Sequence, residues 1–145
     1  MKFVSHIPFV ELLGMELEHF EGGQARIALT LRDELMNSWG VALGGVSMTL
    51  LDVVMAHAAR SPAAAGGDQH PSVVTIEMKT SFTRAGTGRL VAHGKVLHRT
   101  ATLAFCEGSI FDERGELTAH ASGTFKYLHG LPVGGRRVQR QDASD

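Results

Sequence analysis

The sequence predicts an α+β domain in which an antiparallel sheet of five to six strands curls around one long central helix. Three observations predict it. From Gly44 or Gly45 to about Arg60, the residues Val46, Met48, Leu50, Leu51, Val53, Val54, Met55 and Ala58 place apolar side chains on every side of a 3.6-residue helix, so other structure must wrap it. Segments of alternating apolar and polar residues lie on both sides of that helix. The connections between the later segments are short, which favours antiparallel neighbours over the longer crossovers of parallel strands.

The elements follow in order. After a short apolar opening (Ile7, Phe9, Val10, Leu12, Leu13), a strand is expected around Met15 to Phe20, then a turn at Gly22-Gly23. Ala25, Ile27, Leu29 and Leu31 alternate with Gln24, Arg26, Ala28 and Thr30, a strand with one buried face that completes a hairpin. The long helix stops before Ser61-Pro62, and the run to Pro71, with Gly66-Gly67 and Asp68, reads as a loop. Four strands follow: Ser72 to Thr83, Arg89 to Arg99, Ala101 to Phe111 and Glu116 to Leu128. Residues 1–129 make a single domain, and 130–145, with Arg136, Arg137 and Arg140, form an aperiodic tail expected to be mobile.

Composition narrows the function. The chain has 145 residues, 43% hydrophobic and 20% charged, enough for one core and no second domain. A formal net charge of -1 supplies no broad positive field for nucleic acid or anionic lipid, so neither partner is expected. The single cysteine, Cys106, cannot form an intrachain disulfide, which suits a reducing cytoplasm. Met1 to Leu13 is interrupted by His6, Pro8 and Glu11 and lacks the continuous apolar run of a secretory signal. Val41 to Ala59 is broken by Asp52 and His57, so a buried helix explains it better than a membrane span.

Asp52 carries the most information. It sits among Leu50, Leu51, Val53 and Val54, where an unpaired carboxylate would cost several kcal/mol. Either it is a structural aspartate bonded to nearby hydroxyls or amides, or it is a catalytic base or nucleophile. Gly44-Gly45 opens the helix with unpaired N–H groups that can stabilise an oxyanion, although a helix-entry turn would use glycine as well. Gly44 and Asp52 are eight residues apart, roughly 12 Å of helix, too far for one carbonyl to meet both in one chain. Two antiparallel helices across a two-fold axis would bring the start of one against the middle of the other, so a dimer is expected.

Asn37-Ser38-Trp39-Gly40-Val41-Ala42-Leu43-Gly44-Gly45 followed by Leu50-Leu51-Asp52 resembles the signature of hotdog thioesterases of the PaaI-like, phenylacetate-degradation type, within the 4-hydroxybenzoyl-CoA thioesterase superfamily. Val73 to Met78, Gly115 to Ala119 and Gly123-Thr124-Phe125 are similar to strands of that family. The resemblance implies a hotdog fold, an acyl-CoA substrate, and a homodimer or homotetramer with its site between subunits. It implies that Asp52 activates water or attacks the thioester, that the Gly44 N–H polarises the carbonyl, that Asn37 orients the reacting groups and that Thr75 positions the water. Without it, Asn37 reads as a turn residue and Thr75 as an ordinary strand residue. The sequence departs from the family at Leu43, where a histidine is usual, which removes a hydrogen-bonding side chain.

Coenzyme A would bring phosphates to the rim, so Arg84, Arg89, His98 and Arg99 near strand ends are candidate contacts. No metal or other cofactor is expected: the eight histidines include no helical i, i+4 pair, and alternation puts His93 and His98 on opposite faces of one strand. Cys106 reads as a core residue, His57 lies too far round the helix to pair with Asp52, and Trp39 either lines an acyl pocket or anchors its loop. The expected activity is hydrolysis of an acyl-CoA to a carboxylic acid and coenzyme A. A non-catalytic acyl-CoA binding protein on the same fold is the alternative, motivated by Leu43. A hotdog hydratase is disfavoured for want of a histidine beside Gly44.

Overall fold

The computed structural model describes residues 1–63, 70–128, 132–133 and 136–137. Helix α1 (Pro8–Leu13) precedes the hairpin β1 (Glu16–Glu21) and β2 (Gln24–Thr30); a 3-10 turn at Asp33–Leu35 leads to α2 (Gly44–Arg60), then β3 (Ser72–Phe82), β4 (Arg89–Arg99), β5 (Leu103–Phe111) and β6 (Leu117–Leu128). Sequence periodicity does not reveal α1, because six residues are too few to show a helical repeat. Its ends carry the signals instead: Pro8 supplies a preset φ at the first position, and Gly14 closes the helix at φ 78°.

Six strands form one antiparallel sheet in the order β1-β2-β4-β5-β6-β3, with α2 packed against its inner face, which is the hotdog arrangement. Gly22 and Gly23 make the β1–β2 turn with φ of 62° and 77°, values that favour glycine. The short β3–β4 connection does not join neighbours, contrary to expectation. β3 pairs with β6 instead. Residues 83–88 cross the end of the sheet past two intervening strands, about 14 Å at the usual strand spacing and within reach of six extended residues. Hydrogen bonds fasten this crossing: Ala42 N–H to Gly86 O at 2.9 Å, Leu31 N–H to Gly88 O at 2.9 Å and Thr83 N–H to Thr118 O at 3.0 Å.

Three inner-face glycines let α2 lie close to the sheet. A Cβ on Gly94 would overlap the Val54 carbonyl of the helix, and one on Gly108 or Gly123 would stand 3.1 Å from the Met55 side chain. The core between helix and sheet includes Leu50, Leu51, Val54, Met55, Ile27, Leu29, Leu90, Ile110 and Phe125, all buried. The last carbonyls of α2 are also held. Tyr127 Oη donates to Ala59 O at 2.8 Å, Arg99 Nη2 to the same oxygen at 3.4 Å, and Ser61 Oγ to Ala58 O at 2.8 Å.

The sheet does not enclose α2 on every side. Gly45 and Met48 are exposed and Thr49, Asp52 and Ala56 are half-buried, so one stripe of the helix stays open within a single chain. In the tail, Pro132–Val133 pairs with Arg136–Arg137. The other residues of the expected mobile tail, Arg140 included, and Gly66, Gly67 and Asp68 of the expected loop lie outside the described residues. Among the described residues, no helix is long and apolar enough to cross a membrane.

Candidate active site

Asp52 stands at the middle of α2 on its open stripe, and Thr75 stands on the neighbouring edge strand β3. Thr75 Oγ1 donates to Asp52 Oδ1 at 2.7 Å. Asp52 is half-buried rather than enclosed, because the stripe that carries it is the one the sheet leaves bare. A bulge sets the partner's direction. Thr75 pairs with Phe125 but Glu77 pairs with Thr124, so Ile76 is an extra residue, and the inward positions run Val73, Thr75, then Met78, Thr80 and Phe82. Without that extra residue the inward phase would bring Glu77, not Met78, under the helix.

Gly44 is the first residue of α2. The preceding Leu43 is extended (φ -60°, ψ 138°) and offers no side-chain cap; its carbonyl accepts from Val46 N–H at 2.9 Å and Ser47 N–H at 3.3 Å. The N–H groups of Gly44 and Gly45 have no acceptor among the described residues, and they carry the positive end of the helix dipole. Beside Gly44 a cavity of about 370 Å³ opens between the helix start and the 83–88 crossing, lined by Ala42, Ser47, Phe82, Arg84 and Thr118 among others. Asp52 and Thr75 do not line it. Within one chain the carboxylate and the free amide therefore face different spaces.

Asn37 shapes the loop that leads to Gly44. Its Oδ1 accepts from Trp39 N–H at 2.9 Å and Val41 N–H at 3.4 Å, leaving only its amide NH2 for other partners. Trp39 at the loop tip is 86% exposed, so little of its ring is covered within one chain. It belongs to a set of bare apolar side chains with Leu43, Met48, Val74, Ile76 and Phe82 on the loop, the helix and β3.

The four candidate coenzyme A contacts are not one cluster. Arg84 lines the cavity at Gly44 and pairs with Glu116 at 3.2 Å. Arg89 opens β4 beside a second cavity, bonded to Glu16 at 3.3 Å. His98 and Arg99 close the same strand beside a third; His98 stacks on Phe105 and Arg99 caps α2. The eleven residues from Arg89 to Arg99 span roughly 33 Å of strand. His93 and His98 share one face, contrary to simple alternation, because a second bulge at Leu97 shifts the phase between Val96 and His98. Among the described residues no group of three or more candidate ligands could hold a metal.

Two buried polar residues escape sequence reasoning. His57 donates from Nδ1 to Val53 O at 2.8 Å, which leaves Nε2 as a lone pair without a partner, enclosed by Phe3 and Phe20. Burial lowers its pKa to about 4, against the raising effect of the Val53 bond and with a smaller push from Arg60. Ser47 is only 6% exposed; its spacing of three from Gly44, one face of a helix, was the available signal. Cys106 is a buried core residue, and burial pushes its thiol up to about 11.

Residues 40–119 match the model of a family described as the thioesterase superfamily. The medium/long-chain acyl-CoA thioesterase YigI of Escherichia coli is 27% identical over 135 residues, covering 85% of this chain and 87% of YigI. Among solved structures, conserved protein PA5202 of Pseudomonas aeruginosa superposes with a TM-score of 0.77 at 28% identity, over 86% of this chain and 96% of that one. The PaaI protein of the Escherichia coli phenylacetic acid degradation operon superposes with a TM-score of 0.76 at 21% identity, over 85% and 86% of the two chains, a likeness of fold.

Proposed function

The chain belongs to the thioesterase superfamily, and from that premise we propose that it hydrolyses acyl-CoA thioesters at two equivalent sites between paired subunits. The observation that carries the reading is the Thr75–Asp52 hydrogen bond on the uncovered stripe of α2. A carboxylate oriented by a hydroxyl is equipped as a general base, and the free Gly44 amide at a helix start is equipped to hold an oxyanion.

The chemistry balances without a further reactant. Asp52 takes a proton from water as the water oxygen attacks the thioester carbon. The carbonyl oxygen becomes an oxyanion held by the Gly44 N–H of the partner subunit. Collapse breaks the carbon–sulfur bond, and the sulfur leaves as coenzyme A thiol with the proton that Asp52 returns. Thr75 fixes one carboxylate oxygen so that the other faces the water, and the amide of Asn37 orients the thioester from the loop before Gly44. Arg84, at the cavity beside Gly44, is the best-placed of the four candidates to meet a coenzyme A phosphate.

Pairing is supported by what one chain leaves bare. β3 is an eleven-residue edge strand next to the open stripe of α2, with Val74, Ile76 and Phe82 exposed along it, and such edges are templates for a second chain. Two α2 helices lying antiparallel across that contact bring each Asp52 toward the other chain's Gly44.

A thiol-release screen over short, long and aromatic acyl-CoAs tests the activity, starting with medium and long chains because YigI bears that name. Cys106, buried and with its thiol pushed up to about 11, stays silent toward the thiol reagent. Asp52→Asn should lower kcat by roughly 10²–10⁴-fold and leave the fold intact. Leu43 supports a second reading, an acyl-CoA binder without turnover: tight equilibrium binding with no thiol released from any substrate would establish it.

A further inference from the structure

Ser47 occupies an unusual position. It is 94% buried, with 6% of its surface exposed, and its hydroxyl has no hydrogen-bond partner among the described residues. A serine inside a helix ordinarily returns its hydroxyl to the carbonyl four residues back, as Thr49 does to Gly45 O at 2.8 Å. For Ser47 that carbonyl is Leu43 O, which already accepts from two N–H groups. Its oxygen is not among the enclosed side-chain atoms left without a partner, so the hydroxyl opens onto the space beside it, where a group from outside the chain can accept its hydrogen bond.

The direction of the side chain says where that group sits. Ser47 lines the cavity beside Gly44. Residues three apart share a helix face, separated by roughly 4.5 Å of rise, and a helical side chain leans toward the N-terminus. The Ser47 hydroxyl therefore leans back toward the Gly44 amide, and the two donors converge on one space. Arg84 on the rim is already paired with Glu116, and Leu43 contributes no polar group.

We propose that Ser47 is a second catalytic hydrogen-bond donor, its Oγ–H acting with the Gly44 N–H on the thioester carbonyl oxygen. The inference rests on the hydrolase reading above and deepens it. A donor carried on the helix at the wall of the cavity strengthens its bond as negative charge grows on that oxygen, so it acts mainly on the transition state. The hydroxyl supplies from inside the helix what the residue before Gly44 does not.

Ser47→Ala and the similarly sized Ser47→Cys test it. Each should lower kcat roughly 10- to 100-fold with KM within about twofold of wild type. The second readout is the infrared carbonyl stretch of a bound, carbon-13-labelled ketone analogue of acyl-CoA in which a methylene replaces the thioester sulfur. It should lie below its value in water for the wild-type protein and recover part of that difference in either variant. Wild-type kcat in Ser47→Ala, or a stretch that does not change on substitution, would overturn the proposal. If Asp52→Asn is inactive while Ser47→Ala is fully active, only the role of Ser47 fails. If wild type releases no thiol yet binds the ketone with a shifted stretch that Ser47→Ala relieves, the donor role stands and the hydrolase reading fails.

Discussion

Thr75 Oγ1 and Asp52 Oδ1 lie 2.7 Å apart, joining the edge strand β3 to the middle of α2 across 23 residues of sequence. The bond leaves one oxygen of the carboxylate engaged and the other turned to its own surroundings. Thr75→Ala should lower kcat roughly ten- to hundredfold, the worth of a hydrogen bond to a charged group, and Thr75→Ser should restore most of it. Steady-state kinetics on the best acyl-CoA from the screen checks this.

The role of Asp52 can be read from oxygen. In a single turnover in oxygen-18 water, a general base directs solvent oxygen into the first carboxylic acid released. Unlabelled acid in that first turnover would instead make Asp52 the nucleophile, with the label then residing in its side chain.

A site shared by two chains can be rebuilt from two dead ones. Gly44→Pro removes the amide N–H at a position where helices accept proline, and the extended Leu43 before it suits a following proline. Mixed with Asp52→Asn under subunit exchange, it should restore about a quarter of the wild-type rate, since half the dimers are hybrids with one intact site each. No recovery in verified hybrids would place the reacting groups within one chain.

Acid should loosen the fold through His57. Its pKa falls to about 4 in the folded chain from the ordinary 6.5, so below pH 6.5 the unfolded chain binds the proton first. Stability from this group is fully present above pH 6.5 and declines toward pH 4, by about 3 kcal/mol in all. His57→Phe should flatten that part of the profile, as urea unfolding at successive pH values would reveal.

Gly94→Ala should cost at least roughly 1–3 kcal/mol, because the added methyl overlaps the Val54 carbonyl and backbone cannot move aside as a side chain can. Gly115→Ala strains a turn at φ 78° but meets no atom within 4 Å, so its smaller thermal shift separates the two causes.

How much of this could be read in advance depended on whether the deciding interaction was local. The span of β4, Arg89–Arg99, and the start of α2 at Gly44 follow from alternation and from glycine at a helix entry. The Asp52–Thr75 pair was expected only by resemblance, since nothing along the chain says that residues 23 apart meet. The bulges at Ile76 and Leu97 were hidden because an extra residue looks like any other until its partner strand is known. The open stripe of α2 was misjudged for a related reason: apolar residues around a whole helix signal complete burial, but not whether the cover comes from the same chain. The scatter of Arg84, Arg89, His98 and Arg99 over three places reflects strand length, which carries both ends of β4 far apart.

The β3–β6 pairing also governs when the site comes into being. Ser72 meets Leu128 at one end of that ladder, so β3 cannot find its place until the final long strand has been synthesised. A ribosome-bound chain truncated before Leu117 presents Thr75 with no sheet to hold it against Asp52. Assembly of the Asp52–Thr75 pair is thereby tied to completion of the sheet, and partial translation products carry the carboxylate without its hydrogen-bonding hydroxyl.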